Sequence, residues 1–218
     1  MPLACFGCNA RLTRGEQLLC TVCRHEIPLT EYDFKEENSV DRIFYGRIKV
    51  QKAASFLFYS DVGIVKNLIH HLKYKKQEQI GAFLGTWYGS LLAENNHLKN
   101  RIDHVVPVPL HPRKLRKRGY NQVSAFAKGL AQHLECNCLE NVLIKTANTR
   151  TQTKKNRLGR WFEDRSLYEL TDPEILEGKN ILLVDDVITT GATMEICAQA
   201  LSKSKGITIY IASMAVVP

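Results

Sequence analysis

The sequence predicts an α/β fold, with a mostly parallel sheet flanked by helices and a small zinc-ribbon module at the N-terminus. Short apolar runs alternate with helical patterns of apolar residues along most of the chain, as they do in βαβ units. Four of the seven cysteines fall within the first 23 residues. A chain of 218 residues with 44% hydrophobic content can bury one sizeable core and carry one small appendage. We therefore expect a zinc module at residues 1–30 and an α/β domain at residues 31–218.

The N-terminal cysteines form two C-x2-C pairs: Cys5, Cys8, Cys20 and Cys23. Each such turn presents two sulfurs on the same side, so four thiolates can converge on one structural Zn²⁺. Two disulfides are the alternative, but no apolar signal segment precedes the first cysteine, and we expect a reducing, intracellular setting. Redox catalysis by one pair is a weaker interpretation, because no strand–helix pattern surrounds either pair.

The first half of the α/β domain contains two predicted strands and two predicted helices. After a linker near residues 30–38, the run R-I-F-Y-G-R-I at residues 42–48 predicts a strand, and residues 55–59 predict another. An amphipathic helix follows, with these apolar residues on one face: Ile64, Val65, Leu68, Ile69 and Leu72. Residues 80–93 predict a second helix.

Three glycines recur every four positions in that second helix: Gly81, Gly85 and Gly89. Such spacing allows close packing against another helix, and it equally fits a helix that is merely weakened by glycine. The sequence does not choose between these two interpretations.

A strand–loop–helix unit comes next. Residues 104–108 predict a short strand, a basic loop follows at residues 109–114, and residues 123–134 carry a helical pattern. We expect residues 141–145 to form the strand that closes this βαβ crossover.

The net charge of +8 is concentrated in one part of the chain. Residues 110–165 contain 13 Lys and Arg against 4 Asp and Glu, whereas the remainder contains 17 against 18. A solvated basic surface and a binding site for a polyanion both fit this excess. Within it, residues 147–165 are too polar for a core and too long for an ordinary connection. They predict either a lid over an anion or a contact strip for nucleic acid, carried by Arg150, Lys154, Lys155, Arg157, Arg160 and Trp161.

The most specific pattern is I-L-L-V-D-D-V-I-T-T-G-A-T at residues 181–193. A buried strand ends in Asp185 and Asp186, which can accept hydrogen bonds from a vicinal diol. A loop of small residues then opens a helix, whose N-terminus suits a phosphate: Thr189, Thr190, Gly191, Ala192 and Thr193. The alternative is a buried strand followed by an acidic helix-capping turn.

This run resembles the phosphoribosyl pyrophosphate (PRPP) motif of type I phosphoribosyltransferases. The resemblance implies that Asp185 and Asp186 bind the ribose 2′ and 3′ hydroxyls and that residues 189–193 hold the 5′-phosphate, with Mg²⁺ accompanying PRPP. It also implies that the loop after the strand at residues 104–108 holds pyrophosphate. Leu110, Arg113 and Lys114 supply backbone and charged donors there, and a basic loop without a ligand is the alternative.

The whole chain resembles the ComF family of competence proteins, in which a four-cysteine zinc finger is fused to a type I phosphoribosyltransferase-like domain. After the cysteine pairs come Leu72-Lys73-Tyr74, V-P-V-P-L at residues 106–110, R-G-Y-N-Q at residues 118–122, T-Q-T at residues 151–153, and the PRPP run. The middle motifs distinguish this family from nucleobase-salvage enzymes. The resemblance implies a role in the uptake of single-stranded DNA during natural transformation, with helicase-like and DNA-processing partners.

Two classes of function follow from these expectations. In the first, the protein binds PRPP or a 5′-phosphoribosyl nucleotide and serves DNA uptake, with single-stranded DNA as a further ligand. In the second, it is an active Mg²⁺-dependent phosphoribosyltransferase that acts on a nucleobase or another nitrogen acceptor. No apolar run approaches the ~20 residues that a bilayer demands, so we expect no membrane span and a cytoplasmic location.

Overall fold

The computed structural model describes residues 4–94, 98–146 and 167–218. The helices are α1 (Thr21–Glu26), α2 (Ser39–Phe44), α3 (Ile64–Tyr74), α4 (Gln79–Glu94), α5 (Pro112–Arg118), α6 (Ser124–His133) and α7 (Ala192–Leu201). The strands are β1 (Lys52–Phe58), β2 (His104–Pro107), β3 (Asn137–Cys138), β4 (Leu143–Lys145), β5 (Tyr168–Leu170), β6 (Asn180–Ile188) and β7 (Thr208–Val216). Among these residues, no helix has the length and apolar character needed to cross a membrane.

Five strands form the main sheet, in the order β1-β7-β6-β2-β3, and every neighbouring pair is parallel. The prediction of a mostly parallel sheet is therefore confirmed. Residues 181–184 of β6 are fully buried, as expected for a central strand with helices on both faces. Pro107 of β2 lies opposite Val184 of β6, so both strands end at the same edge of the sheet.

The predicted strand at residues 42–48 is wrong, because its first part belongs to helix α2. Asn38 caps this helix, and its Oδ1 accepts from the backbone N–H of Val40 at 2.8 Å and of Asp41 at 3.3 Å. The Asp41 carboxylate accepts in return from the N–H of Asn38 at 3.1 Å. This capping box, together with complete burial of Phe44, outweighs the strand preference of the β-branched and aromatic residues.

The predicted role of residues 141–145 is also wrong. The strand that follows the crossover and pairs with β2 is β3. Just after β3, the backbone N–H of Leu139 donates to the carbonyl of Val105 in β2 at 2.9 Å. The chain then turns away, and β4 pairs antiparallel with β5 in a separate two-stranded sheet. Backbone groups of β4 are thus satisfied by a strand that lies much later in the chain.

Helices α4 and α6 pack with their backbones in contact. A Cβ atom added at Gly85 would lie 2.4 Å from the carbonyl oxygen of Phe126, and one at Gly129 would lie 2.7 Å from the carbonyl carbon of Gly85. Of the two interpretations of the glycine spacing, close helix packing is the correct one.

Candidate functional site

The four N-terminal cysteines converge in the structure. Their Sγ atoms all lie within 4.8 Å of one another, with Cys5, Cys20 and Cys23 buried and Cys8 exposed. Backbone N–H groups of Gly7 and Cys20 each donate to the sulfur of Cys5 at 3.3 Å. Four sulfurs at this spacing fit a tetrahedral metal such as Zn²⁺, and N–H donors stabilise the thiolate form that binds it.

The cysteine cluster packs on helices α3 and α4. The Asn67 side chain of α3 donates to the carbonyl of Gly7 at 2.6 Å, and the rings of Phe6 and His71 are 5.0 Å apart. Arg24 lies over the ring of Trp87 in α4, 4.9 Å from its centroid. The buried cysteines share one hydrophobic cluster with these helices, so the cysteine cluster is part of the protein's core.

Asp186 lies on β6 and faces helix α3 and the segment that precedes α6. Its Oδ1 pairs with the ammonium of Lys73 at 2.9 Å, and its Oδ2 accepts from the amide of Gln122 at 2.6 Å. The residue is only 6% exposed. Carboxylates with so little access to water are generally hydrogen-bonded or paired with a cation in folded proteins.

Asp185 points to the opposite face of the strand, since successive side chains alternate. Burial and the charge of Asp186 raise the pKa of Asp185 to about 8. On this side the ammonium of Lys145 donates to the hydroxyl of Tyr168 at 2.7 Å, and both groups interact electrostatically with Asp185. Burial lowers the pKa of Lys145. The acidic pair is therefore flanked by one lysine on each face of the sheet.

The loop predicted to hold a phosphate, residues 189–193, follows β6 directly. Gly191 is the residue that caps helix α7, with a φ of 76°. A Cβ atom there would lie 2.7 Å from Cγ2 of Ile43, so both the backbone angle and the space require glycine. The Arg47 guanidinium links this loop to helix α7. It donates to the carbonyl of Thr190 at 2.6 Å and to the Glu195 carboxylate at 2.6 Å. The unpaired N–H groups at the start of α7 suit an anion.

The residues proposed to bind pyrophosphate are placed differently from expectation. Leu110 follows β2 at the same sheet edge as the acidic pair, but Arg113 and Lys114 lie on the short helix α5 rather than in a loop. No residue of α5 is buried. A cavity of about 390 Å³ lies beside this helix, and its lining includes Leu110, Tyr120 and Lys145.

The predicted lid or DNA-contact residues lie outside the described part of the chain: Arg150, Lys154, Lys155, Arg157, Arg160 and Trp161.

Four residues near the site were not singled out by sequence reasoning: Arg47, Lys73, Gln122 and Lys145. Lys73 and Gln122 belong to the motifs at residues 72–74 and 118–122, which served only as family markers. No local pattern indicates that both side chains meet at Asp186. Lys145 is the last residue of a predicted strand. A charged residue at a strand end is the one feature of the sequence that could have indicated its place near the site.

Comparison with known proteins gives one match over the second half of the α/β domain and others over nearly the whole chain. A model of the phosphoribosyl transferase domain matches residues 123–215. DNA utilization protein YhgH of Shigella flexneri is 29% identical over 222 residues, covering 97% of this chain and 92% of that protein. Competence protein ComFC of Bacillus subtilis is 25% identical over 202 residues, covering 90% of this chain and 77% of that protein.

Two further similarities cover less. Competence protein F of Haemophilus influenzae is 29% identical over 112 residues, covering 51% of this chain and 49% of that protein. A structure of the B. subtilis glutamine PRPP amidotransferase, complexed with ADP and GMP, has a TM-score of 0.44 and 18% identity, covering 65% of this chain and 30% of that one. The chain is thus a homologue of DNA utilization and competence proteins, and it combines a region that matches the phosphoribosyl transferase domain with an N-terminal four-cysteine cluster.

Proposed function

We propose that this protein binds PRPP or a 5′-phosphoribosyl nucleotide together with Mg²⁺, and that it takes part in the uptake of single-stranded DNA during natural transformation. The observation that carries the ligand assignment is the juxtaposition of two elements on one strand-to-helix turn. Asp185 and Asp186 lie in the last half of β6, and the glycine-capped start of α7 follows five residues after Asp186. A diol acceptor and a phosphate cradle at this spacing match the two ends of a ribose 5-phosphate.

The residues at the carboxyl end of β6 also suit the Mg²⁺ ion that we propose to accompany PRPP. Mg²⁺ prefers carboxylate oxygens and the oxygens of a phosphorylated substrate, and the acidic pair would hold it beside the sugar. The bound ion would neutralise charge on the pyrophosphate group of PRPP. Lys145 supplies a further positive charge on the Asp185 side of this edge.

The DNA assignment draws on the relatives' names and on helix α5. This helix carries five cationic residues within seven positions, all with access to solvent: Arg113, Lys114, Arg116, Lys117 and Arg118. The guanidinium of Arg118 lies 5.9 Å from the ring centroid of Tyr74, which is 67% exposed. Exposed aromatic rings among cations are typical of surfaces that bind single strands. Helicase-like and DNA-processing competence proteins are the partners we propose, and the cytoplasm is the proposed location.

The DNA assignment is tested by fluorescence anisotropy of a labelled oligonucleotide across a salt series. Affinity should fall steeply with salt, because each neutralised phosphate contributes a slope of about 0.7 on single strands. Replacing Lys154, Lys155 and Arg157 by Ala should flatten that slope for oligonucleotides of any sequence. Lys203→Ala/Lys205→Ala is the control, since these residues precede β7 and lie at the end of the sheet opposite to the one that carries Asp185 and Asp186. Absence of binding by the wild-type protein at low salt would exclude the DNA role.

Two further measurements distinguish binding of DNA from binding of PRPP. Trp161→Ala should remove a stacking contribution of about 1–3 kcal/mol that does not depend on salt. If PRPP displaces the oligonucleotide, the two anions share one site, and this result would favour the interpretation of residues 147–165 as a lid rather than as a contact strip for DNA.

Phosphoribosyl transfer to a nucleobase or another nitrogen acceptor is the second candidate function. The cavity of about 390 Å³ favours it, because a partly apolar space that reaches Leu110 and Lys145 could admit an acceptor next to the proposed PRPP site. Release of pyrophosphate that depends on an added acceptor would establish this activity, and PRPP binding without such release would leave the protein as a binding module.

A further inference from the structure

Three separate sequence motifs meet around the Asp186 carboxylate. The motif at residues 72–74 forms the last turn of α3 and its end, the motif at residues 118–122 connects α5 to α6, and Asp186 belongs to the PRPP run on β6. The first two motifs have no role in the PRPP binding proposed above. Their contacts with Asp186 assign one to them.

Hydrogen bonds fix both oxygens of Asp186 from two directions. The Lys73 ammonium lies 2.9 Å from Oδ1, and the Gln122 amide nitrogen donates to Oδ2 at 2.6 Å. The amide oxygen of Gln122 accepts in turn from the guanidinium of Arg118. Since Arg118 can only donate, it determines which end of the Gln122 amide faces the carboxylate.

A second set of contacts holds Lys73 in place. The hydroxyl of Tyr120 donates to the carbonyl of Leu72, the residue that precedes Lys73 on α3. Arg118 lies over the ring of Tyr74, the residue that follows it. The last turn of α3 is therefore attached to the same segment that supplies Gln122. Asp186, Lys73 and Gln122 form one connected unit.

This unit uses only part of the hydrogen-bonding capacity of Asp186. A carboxylate offers about four acceptor positions, and Lys73 and Gln122 occupy one on each oxygen. Rotation of the carboxylate would break both contacts at once, so the remaining acceptor positions point in fixed directions.

We propose that Lys73 and Gln122 are positioning residues for sugar recognition. They hold the Asp186 carboxylate so that its free acceptor positions face the diol of a ribose 5-phosphate. This inference rests on the proposed PRPP site, and it adds that selectivity for the diol depends on residues outside the PRPP run.

The test compares two ligands, ribose 5-phosphate and 2,3-dideoxyribose 5-phosphate, by calorimetric titration. The hydrogen bonds between the diol and a charged carboxylate should make the affinity for ribose 5-phosphate about tenfold or more higher than that for the dideoxy sugar. Lys73→Met and Gln122→Leu should each abolish most of this preference while leaving the affinity for the dideoxy sugar unchanged. A general loss of structure would weaken the binding of both ligands together. The ratio of the two affinities therefore reports the positioning of Asp186 alone.

Matched controls lie on α3 and on α6, the helix that follows Gln122. Lys66→Met removes an exposed lysine of α3, and Gln132→Leu removes an exposed glutamine of α6. Both variants should keep the wild-type preference, and Lys73→Arg should restore most of it. If Lys73→Met does not fold, Gln122→Leu decides, because it removes no charge.

The outcomes separate this inference from the function on which it rests. Folded Lys73→Met and Gln122→Leu proteins that keep the wild-type preference would overturn the positioning role alone. A wild-type protein that binds both sugars equally would overturn the diol site itself, and with it this role. A selective loss of diol preference in either variant supports it.

Discussion

Replacement of Gly85 by alanine should destabilise the protein more than any other Gly→Ala change in α4. The added Cβ would lie 2.4 Å from the carbonyl oxygen and 2.9 Å from the Cα of Phe126. These are backbone atoms of α6, so no side-chain rotation can relieve the overlap and the two helices must separate. Gly81 provides the comparison, because a Cβ there would lie 3.4 Å from the Cβ of Ala125, an ordinary contact.

The two substitutions differ in packing and share the same gain in helix propensity. Alanine is favoured over glycine within a helix by about 1 kcal/mol. Overpacking of a core costs about 1–3 kcal/mol, and the short backbone contact places Gly85→Ala at the upper end of that range. The expected net change is a loss of about 2 kcal/mol for Gly85→Ala, which lowers Tm by about 4–8 °C in a chain of this length. Gly81→Ala should be neutral or up to about 1 kcal/mol more stable than wild type.

Urea unfolding followed by circular dichroism gives the free energy of unfolding for the wild type and both variants. Gly85→Ala should unfold at a clearly lower urea concentration than Gly81→Ala. Equal stability of the two variants would refute the close approach of α4 and α6. The same contact matters for the site, since Gln122 lies just before the start of α6.

Three further predictions concern the metal, the phosphate loop and the acidic pair. Elemental analysis should find zinc in the wild-type protein and little in Cys20→Ser/Cys23→Ser; full metal content in that variant would exclude the four-cysteine site. Gly191→Ala should weaken binding of ribose 5-phosphate, whereas Gly178→Ala should not, because both glycines have positive φ but a Cβ meets neighbouring side chains only at Gly191. Asp185→Asn should stabilise the protein in thermal melts at pH 9 but not at pH 3. Below the pKa of an unfolded Asp both states are protonated, and stability is lost as pH rises from that value through the folded pKa of about 8; an equal effect at both pH values would contradict the raised pKa.

Patterns that are complete within a short stretch were readable from the sequence. The strand and loop at residues 181–193 became β6 and the start of α7, and the spacing of Cys5, Cys8, Cys20 and Cys23 brought four sulfurs together. In these cases local geometry alone determines the arrangement, because the strand, turn and helix N-terminus follow one another without interruption.

Errors arose where a local preference competed with another signal or with a distant partner. Residues 42–44 have strand-forming side chains, but the capping box of Asn38 and Asp41 starts a helix before them. The partner of β4 is β5, on the far side of residues 147–166, and no local pattern specifies it. The glycine spacing in α4 left two interpretations open, because the close contact depends on Gly129 in α6.

The surroundings of the acidic pair could not be predicted for the same reason. Lys73, Gln122 and Asp186 are far apart in the sequence and meet only when α3 and α6 pack on one face of the sheet. The order of the motifs along the chain was visible, but their convergence is a property of the tertiary structure.

The central claim is that the end of β6 binds a phosphorylated ribose. Calorimetric titration with PRPP in the presence of Mg²⁺ tests it directly, comparing the wild type with Asp185→Ala/Asp186→Ala. The control is Asp172→Ala/Glu174→Ala, which removes two exposed carboxylates elsewhere. We expect the wild type and the control to bind equally, and the acidic-pair variant to bind at least about tenfold more weakly, the equivalent of one lost charge-assisted hydrogen bond. Unchanged PRPP affinity in Asp185→Ala/Asp186→Ala would contradict the assignment of the site.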